Sequence, residues 1–502
     1  MLVSHFLSES ARRLPDKTAL VFGDRRYSYT MLYEKATNLA SFLVGQGLRK
    51  GDRVGIYMGN SPETAVSIFG VLEAGGCFIV INPTIKEEKL RHILQNSGAQ
   101  FLIAGGSKGP VLDKTFSRMK SVPRTIFTGS GEGSAGRFED IIETRADVAR
   151  PEPIDIDLAA IIYTSGSTGD PKGVTMTHRN MVSAATSITT YLENREDDII
   201  LNMLPFSFDY GLYQLLMAFK IGGTLVLEPT FGYPYQIVEQ IKKEKVTGLP
   251  CVPTMFAILL QLEHLHKENL ASVRYITNTA AALPPAYIPK IKAAFPNARI
   301  YSMYGLTECK RVSYLPPDMV DKKPESVGIA MPNTEVWIVD ENGNILGPDQ
   351  VGELVVRGAS VMQCYWNDPE GTAEVIKPGF FPGDRLLYTG DLFRMDKDGY
   401  LYFADRKDDI IKSRGERVSP REVEKVLYSM EEVLNARVVS VPHEIYTQAI
   451  KAEIIIKDGR SLSEARVKAY CRRHMEDLMV PHIVEFVKEL PVSTSGKIKR
   501  KG

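Results

Sequence analysis

Cysteine is scarce in this chain of 502 residues: only Cys77, Cys251, Cys309, Cys364 and Cys471 occur. None form a Cys-x-x-Cys pair, so neither a disulfide framework nor a zinc cage is expected, and a reducing, cytoplasmic setting fits best. Histidine is also sparse, with eight residues and no HExxH pattern; the spacing of His264 and His266 suits no shared metal on a helix. Surplus charge is missing, because 61 Lys and Arg balance 61 Asp and Glu. That disfavours a nucleic-acid platform, which carries a basic footprint. No apolar run reaches the roughly 18 residues of a membrane helix, so no membrane span is expected. The first residues place an apolar patch before their arginines, the reverse of a secretory signal. Hydrophobic residues are 44% of the chain, which supplies a core and excludes an acidic, disordered chain.

Alternating helix-period and strand-period segments fill the first hundred residues: helices at 35–48 and 62–74, strands at 53–58 and 77–81. That order predicts an α/β core with parallel strands. The Gly/Ser-rich stretch 128–137 reads as a loop. After about residue 330 the pattern becomes β-rich, with hairpin signals at 335–346 around Asn-Gly and at 393–403 around Asp-Gly. The last segment reads as α+β, with capping boxes from Ser419 to Glu422 and from Ser461 to Glu464. The charged run 405–409 is the candidate boundary. The expected architecture is an α/β N-terminal domain, residues 1–404, built of packed α/β subdomains plus a β-rich subdomain. A small, mobile α+β C-terminal domain, residues 405–502, follows it.

The most specific motif is YTSGSTGDPKG, Tyr163 to Gly173, after an apolar strand-like run and before a helix-like segment near Asn180. Its glycines and small hydroxyl residues let backbone N–H groups converge as a phosphate-binding nest, and Lys172 adds a point charge. The motif departs from the GxxxxGK[ST] loop, since Lys172 follows Pro171 and no Ser or Thr follows it.

This motif resembles the phosphate loop of the adenylate-forming superfamily, which comprises acyl-CoA synthetases, amino-acid adenylation domains and luciferases. Four further segments match it in order: YGLTE (304–308), YTGD (388–391), DRKDDIIKSRGERVSPREVE (405–424) and PVSTSGKIKR (491–500). The resemblance spans essentially the whole chain. It implies a two-step reaction: a carboxylic acid is activated by ATP as acyl-AMP with release of pyrophosphate, then the acyl group passes to a thiol. It assigns Thr164, Ser165, Gly166, Ser167, Thr168, Gly169 and Lys172 to the phosphates, and Glu308 to a Mg²⁺ ligand, a carboxylate suiting a hard cation. Tyr304, with Gly305 and Thr307 beside it, would face adenine against Ala280 and Ala281 in NTAAALPP (278–285). Asp391 and Arg406 would take the ribose. Lys497 would bridge the substrate carboxylate and the α-phosphate, balancing charge built in the transition state. Asp408 matches the hinge of a rotating C-terminal domain, and Gly415 would face the thiol channel.

The acyl group is less defined. LPFSFDYGLYQLL (204–216) would line its pocket through Phe208, Asp209 and Tyr213, with Met303 nearby. Asp209 has two readings: a partner for the α-ammonium of an amino acid, or a cap for the helix that follows. Lys310 and Arg311 depart from the family pattern and are expected as a solvated loop pair, since exposed charge is the rule. The leading expectation is an acyl-CoA synthetase using ATP, Mg²⁺ and CoA, with a small-molecule acid and no nucleic-acid partner. The alternative is a stand-alone amino-acid or aryl-acid adenylating enzyme that loads the phosphopantetheine arm of an acyl or peptidyl carrier protein. A silent nucleotide binder and a luciferase-like oxygenase are further classes; retention of Lys172, Glu308, Asp391 and Lys497 argues against the first.

Overall fold

The computed structural model describes the chain apart from Glu132, Asp147 and residues 165–170, 407–410, 414–415, 444–446, 476–478 and 492–502. By compactness the chain divides into two units, Met1–Val336 with Val356–Leu387, and Trp337–Val355 with Tyr388–Gly502.

The first unit is built on two sheets. One takes the spatial order 136–137, 124–128, 101–105, 53–57, 77–80, 158–164, 172–177. Its strands are parallel except the last pair, which is antiparallel. The other has a parallel centre of 299–304, 275–278, 248–251, 199–202, 224–227 and 18–22, with antiparallel strands at its edges. The parallel α/β core expected from the alternating pattern is therefore present. Its strands are apolar on both faces, as in Leu225, Val226 and Leu227, which are all buried, because helices cover both sides of such sheets. Local chemistry starts these helices. Ser61 accepts from the Thr64 N–H ahead of Pro62, and Thr177 with Asn180 forms a reciprocal capping box for His178–Tyr191.

The strand before the phosphate-loop motif and the helix after it are present: Leu158–Thr164 precedes it, and the helix expected near Asn180 starts at His178. Between them lies a strand that the sequence did not single out, Lys172–Thr177, paired antiparallel with Leu158–Thr164 and with Thr164 opposite Lys172.

A buried carboxylate ties the starts of several parallel strands together. Asp198 is 1% exposed. It accepts from Arg274 Nε at 2.7 Å, Thr247 Oγ1 at 2.8 Å, the Arg195 N–H at 2.8 Å and Asn194 Nδ2 at 3.1 Å, and Arg274 Nη2 completes a two-pronged pair. The Asp198 carbonyl also accepts from the Thr224 N–H. The strands beginning at Ile199, Thr224, Gly248 and Tyr275 are thus anchored at one end. Burial alone would raise this carboxyl, but the bonds from Arg274, Arg195 and Thr247 outweigh it and hold it below its ordinary range.

In the second unit, Val433–His443 and Thr447–Ile456 pair antiparallel, and Ile483–Phe486 adds in parallel. Helices Pro420–Tyr428 and Glu464–His474 contribute Val423, Leu427, Val467 and Cys471 to a core with Val438, Ala452 and Ile454. Ser419 caps the first helix, accepting from the Glu422 N–H at 3.4 Å. The second is capped by Ser463, not Ser461: its oxygen accepts from the Arg466 N–H, and the helix begins at Glu464, the residue on which the expected box ends. The Asp-Gly hairpin near 393–403 is present, pairing Asp391–Met395 with Leu401–Arg406.

Replacing Asp198 with Asn should destabilise the first unit by about 3 kcal/mol at neutral pH, because Arg274 loses its counter-charge. The folded carboxyl titrates below its unfolded value, so its contribution is complete above about pH 4 and is lost as pH falls further. Thermal midpoints of wild type and Asp198→Asn should differ at pH 7 and converge on acidification; a pH-independent gap would refute the charge as its origin.

Candidate active site

In parallel sheets, sites form where strands end and loops diverge. Asn278 and Ser302 are paired neighbours on adjacent strands. Beyond them come Ala280 and Ala281 on one chain and Tyr304, Gly305 and Thr307 on the other. Ala280 takes a left-handed φ of 76°, and the buried Asn278 amide donates to the Ala281 carbonyl at 3.0 Å. A non-glycine residue in that region holds strain that surroundings must enforce. Tyr304 ends its strand half-buried, with Met303 buried just before it.

Lys172 and Glu308 meet at a residue that the sequence did not single out. Tyr365 donates its hydroxyl to Glu308 Oε1 at 2.8 Å, and Lys172 Nζ lies 4.9 Å from the centre of the Tyr365 ring. Lys172 also pairs with Asp368 at 3.6 Å. Burial, reinforced by the Glu308 charge, pushes the Tyr365 hydroxyl well above its ordinary range, so it stays a donor. Tyr365 arrives because its segment bonds along Lys172–Thr177: the Trp366 N–H donates to the Gly173 carbonyl at 2.7 Å and the Thr175 N–H to the Cys364 carbonyl at 3.0 Å. No motif around Tyr365 signals this; the pairing is purely non-local.

Around the expected acyl pocket, two expectations change. Asp209 does not cap its helix: Phe208 holds the cap position and Asp209 is the first helical residue. Its carboxylate lies 3.5 Å from Lys310 Nζ. Lys310 and Arg311 are not solvated, being 3% and 2% exposed. Lys310 Nζ sits 4.5 Å from the Tyr213 ring centre, and Arg311 Nη1 donates to Thr279 Oγ1 at 2.6 Å. Lys310 takes a left-handed φ of 66° in the bend between the strands Arg299–Tyr304 and Ser313–Tyr314. Burial pulls the Lys310 ammonium down to about 7; Asp209 opposes that shift and Arg311 adds to it. Met303, Tyr213, Lys310 and Arg311 line one small cavity of about 10 Å³, room for about one water. Phe208 is half-buried, edge-on to Tyr210 at 6.1 Å.

In the second unit, Asp391 and Arg406 are opposite in register, and Arg406 Nε donates to Asp391 Oδ1 at 3.0 Å. Asp391 is buried and Arg406 exposed. Thr164 closes the strand before the phosphate loop. Ser165, Gly166, Ser167, Thr168, Gly169, Asp408, Gly415 and Lys497 lie outside the described residues. Among the described residues, no cluster of three metal-ligating side chains occurs.

The AMP-binding enzyme model matches residues 7–366, and the AMP-binding enzyme C-terminal domain model matches 422–497. This chain belongs to the adenylate-forming, AMP-binding enzyme family. Several relatives are similar along nearly the whole of this chain. A long-chain-fatty-acid–CoA ligase of Bacillus subtilis is 32% identical, over 99% of this chain and 92% of that one. The ATP-bound structure of MatB from Rhodopseudomonas palustris is 27% identical with a TM-score of 0.90, over 99% and 97% of the two chains. The anthranilate CoA ligase AuaEII, in complex with anthranoyl-AMP, is 27% identical with a TM-score of 0.89, over 99% and 95%. The large α/β N-terminal region and small α+β C-terminal region are the family's architecture.

Gly305 lets the loop after Tyr304 close on itself. A Cβ there would meet the Lys310 carbonyl oxygen at 2.3 Å and Arg311 Cα at 2.9 Å. Backbone cannot yield as a side chain would, so Gly305→Ala should lower stability by about 1–3 kcal/mol. Gly59→Ala, whose Cβ meets nothing within 4 Å, should change it by less than about 0.5 kcal/mol. Thermal unfolding of the two variants checks this; equal midpoints would show that the loop is not under that constraint.

Proposed function

We propose that the chain is an ATP-dependent acyl-CoA synthetase. A carboxylate oxygen of the acid attacks the α-phosphorus of ATP, and pyrophosphate leaves. The thiol of CoA, losing its proton, then attacks the acyl carbon, and AMP leaves. Kinship with acyl-CoA ligases makes it an acid–thiol ligase. The observation that carries the reading is the meeting of Lys172 and Glu308 at Tyr365, which joins two nucleotide motifs that are distant in sequence.

The residues suit this chemistry. Two anions must approach, and fixed cations and oriented N–H groups lower that barrier. Lys172, with the loop Thr164 to Gly169, would hold the β- and γ-phosphates. Glu308 gives one oxygen to Tyr365 and keeps the other free of described donors. With a single carboxylate, the donor set fits a Mg²⁺ that takes its remaining ligands from phosphates and water. Such an ion, when bound, offsets phosphate charge. Tyr304 would stack adenine against the Ala280–Ala281 backbone. Asp391 would accept from the ribose hydroxyls, with Arg406 beside it.

Lys497 would bridge the reacting carboxylate and the α-phosphate. The second step would turn the C-terminal domain, residues 405–502, about Asp408 and bring Gly415 to the thiol arm. The pairing of Asp209 with Lys310 weighs against an amino-acid substrate, because the carboxylate that would take an α-ammonium already holds one. Five free cysteines fit a cytoplasmic setting, and no described helix is long and apolar enough to cross a membrane.

ATP–pyrophosphate exchange across fatty, aryl and amino acids tests the first step. CoA against a phosphopantetheinylated carrier protein tests the acceptor. No exchange with any acid would overturn the reading; transfer to the carrier protein alone would replace CoA as acceptor. Lys497→Ala should slow adenylate formation by about 10²–10³ while leaving thiolysis of preformed acyl-AMP within a few-fold. Equal loss of both steps would end this division of labour.

A further inference from the structure

Helix Glu87–Ser97 carries none of the nucleotide motifs, yet two of its residues hold segments that do. Asn96 Oδ1 accepts from the Tyr163 hydroxyl at 2.6 Å, so the helix grips the strand just before Thr164. His92 Nε2 lies 3.2 Å from the Pro171 carbonyl oxygen. A carbonyl only accepts, so Nε2 carries the proton and donates. Pro171 is buried and stands one residue before the ladder in which Lys172 pairs with Thr164. Lacking an N–H, Pro171 offers only its carbonyl as a backbone hold, and His92 takes it. The same helix holds the partners of Lys172. The Asn96 carbonyl, left over at the helix end, accepts from Trp366 Nε1 at 3.0 Å and Asn367 Nδ2 at 2.9 Å. Those two residues stand between Tyr365, whose ring faces the Lys172 ammonium, and Asp368, which pairs with it. Arg53 closes the assembly: its Nε donates to the Ser97 carbonyl at 2.8 Å, and its guanidinium lies 5.3 Å from the Trp366 ring centre.

We propose that His92 is a positioning residue for the phosphate-binding Lys172, and that helix Glu87–Ser97 is the clamp through which it acts. A lysine ammonium rides on a flexible four-carbon stem, so its place is set by its backbone and by what surrounds the stem. One helix governs both. His92 and Asn96 hold the chain at Pro171 and Tyr163, and the Asn96 carbonyl holds the segment bearing Tyr365 and Asp368. A cation already fixed where the β- and γ-phosphates arrive needs no reorganisation to meet them. Loss of the His92 bond frees the Pro171–Lys172 peptide and leaves the residues assigned to adenine and ribose as they were. This role rests on the ligase reading, in which Lys172 meets ATP, and adds a residue that acts through Lys172 rather than on a substrate.

Calorimetry on the full chain compares ATP and AMP binding by wild type, His92→Phe and His92→Gln. The phenyl ring keeps the shape of the imidazole without its donor, whereas the Gln amide can still donate to the Pro171 carbonyl. His92→Phe should weaken ATP binding about five- to tenfold. AMP, which lacks the β- and γ-phosphates, should weaken by less than about twofold, and His92→Gln should return ATP to within about twofold of wild type. With an acid that supports ATP–pyrophosphate exchange, the KM for ATP should rise in His92→Phe, while thiolysis of preformed acyl-AMP keeps its rate. Equal weakening of ATP and AMP, ATP binding that does not change in His92→Phe, or no recovery in His92→Gln would overturn the role. Each ratio of ATP to AMP is taken within one protein, so a partial loss of folded protein cancels. Should His92→Phe fail to fold, Tyr163→Phe, which takes the hydroxyl away from Asn96, carries the same comparison with the same outcomes. If no acid supports exchange, the ligase reading falls, and the ratio of ATP to AMP binding alone judges the clamp.

Discussion

The buried Asp198 carboxylate is the constraint on which the first unit's site depends. Parallel strands do not hold one another through tight turns, so their relative registers must be set by other means. Here one carboxylate takes bonds from Arg274, Thr247, Asn194 and a backbone N–H, at the starts of strands that later deliver Asn278 and the loop to Ala280. Fixing one end of a rigid ladder fixes the other. The chemistry then sits at the far ends, where loops are free to carry it.

Asp198 and Arg311 show opposite uses of buried charge. Every bond Asp198 can accept from its surroundings is directed at holding the sheet, and its counter-charge Arg274 is bonded on several sides. Arg311 is as deeply buried but has one hydroxyl acceptor at its tip and none at Nε. A completed network favours a unique fold, whereas an incomplete one is tolerated only where something else repays it. Tyr365 stands between these cases. It bridges Lys172 and Glu308 and so links the strand leaving the phosphate loop to the end of YGLTE without being part of either motif.

Much of the fold was legible in the chain because it follows from short-range rules. Apolar periodicity marked the parallel core, Asn-Gly and Asp-Gly marked hairpins, and Ser419 with Pro420 marked a helix start. Local rules failed where two signals competed at close spacing. Ser461 and Ser463 both offer a capping hydroxyl, and only the true helix start decides between them. The helix expected near Asn180 starts at His178, while the strand Lys172–Thr177 before it, set by pairing with Leu158–Thr164, carried no mark in the sequence.

By itself, the sequence determined the family, the order of its motifs and the residue types available to meet a nucleotide, because these depend on chemical identity and spacing along the chain. Tertiary structure alone decided the surroundings of those residues. Tyr365 joined Lys172 to Glu308 through strand pairing between distant segments, and Asp209 met Lys310 across the pocket. Lys and Arg in a loop carry no mark of burial. Whether a charge is solvated or enclosed is a property of everything packed around it, and that is how Lys310 and Arg311 changed from an expected solvent-facing pair into the lining of a small cavity.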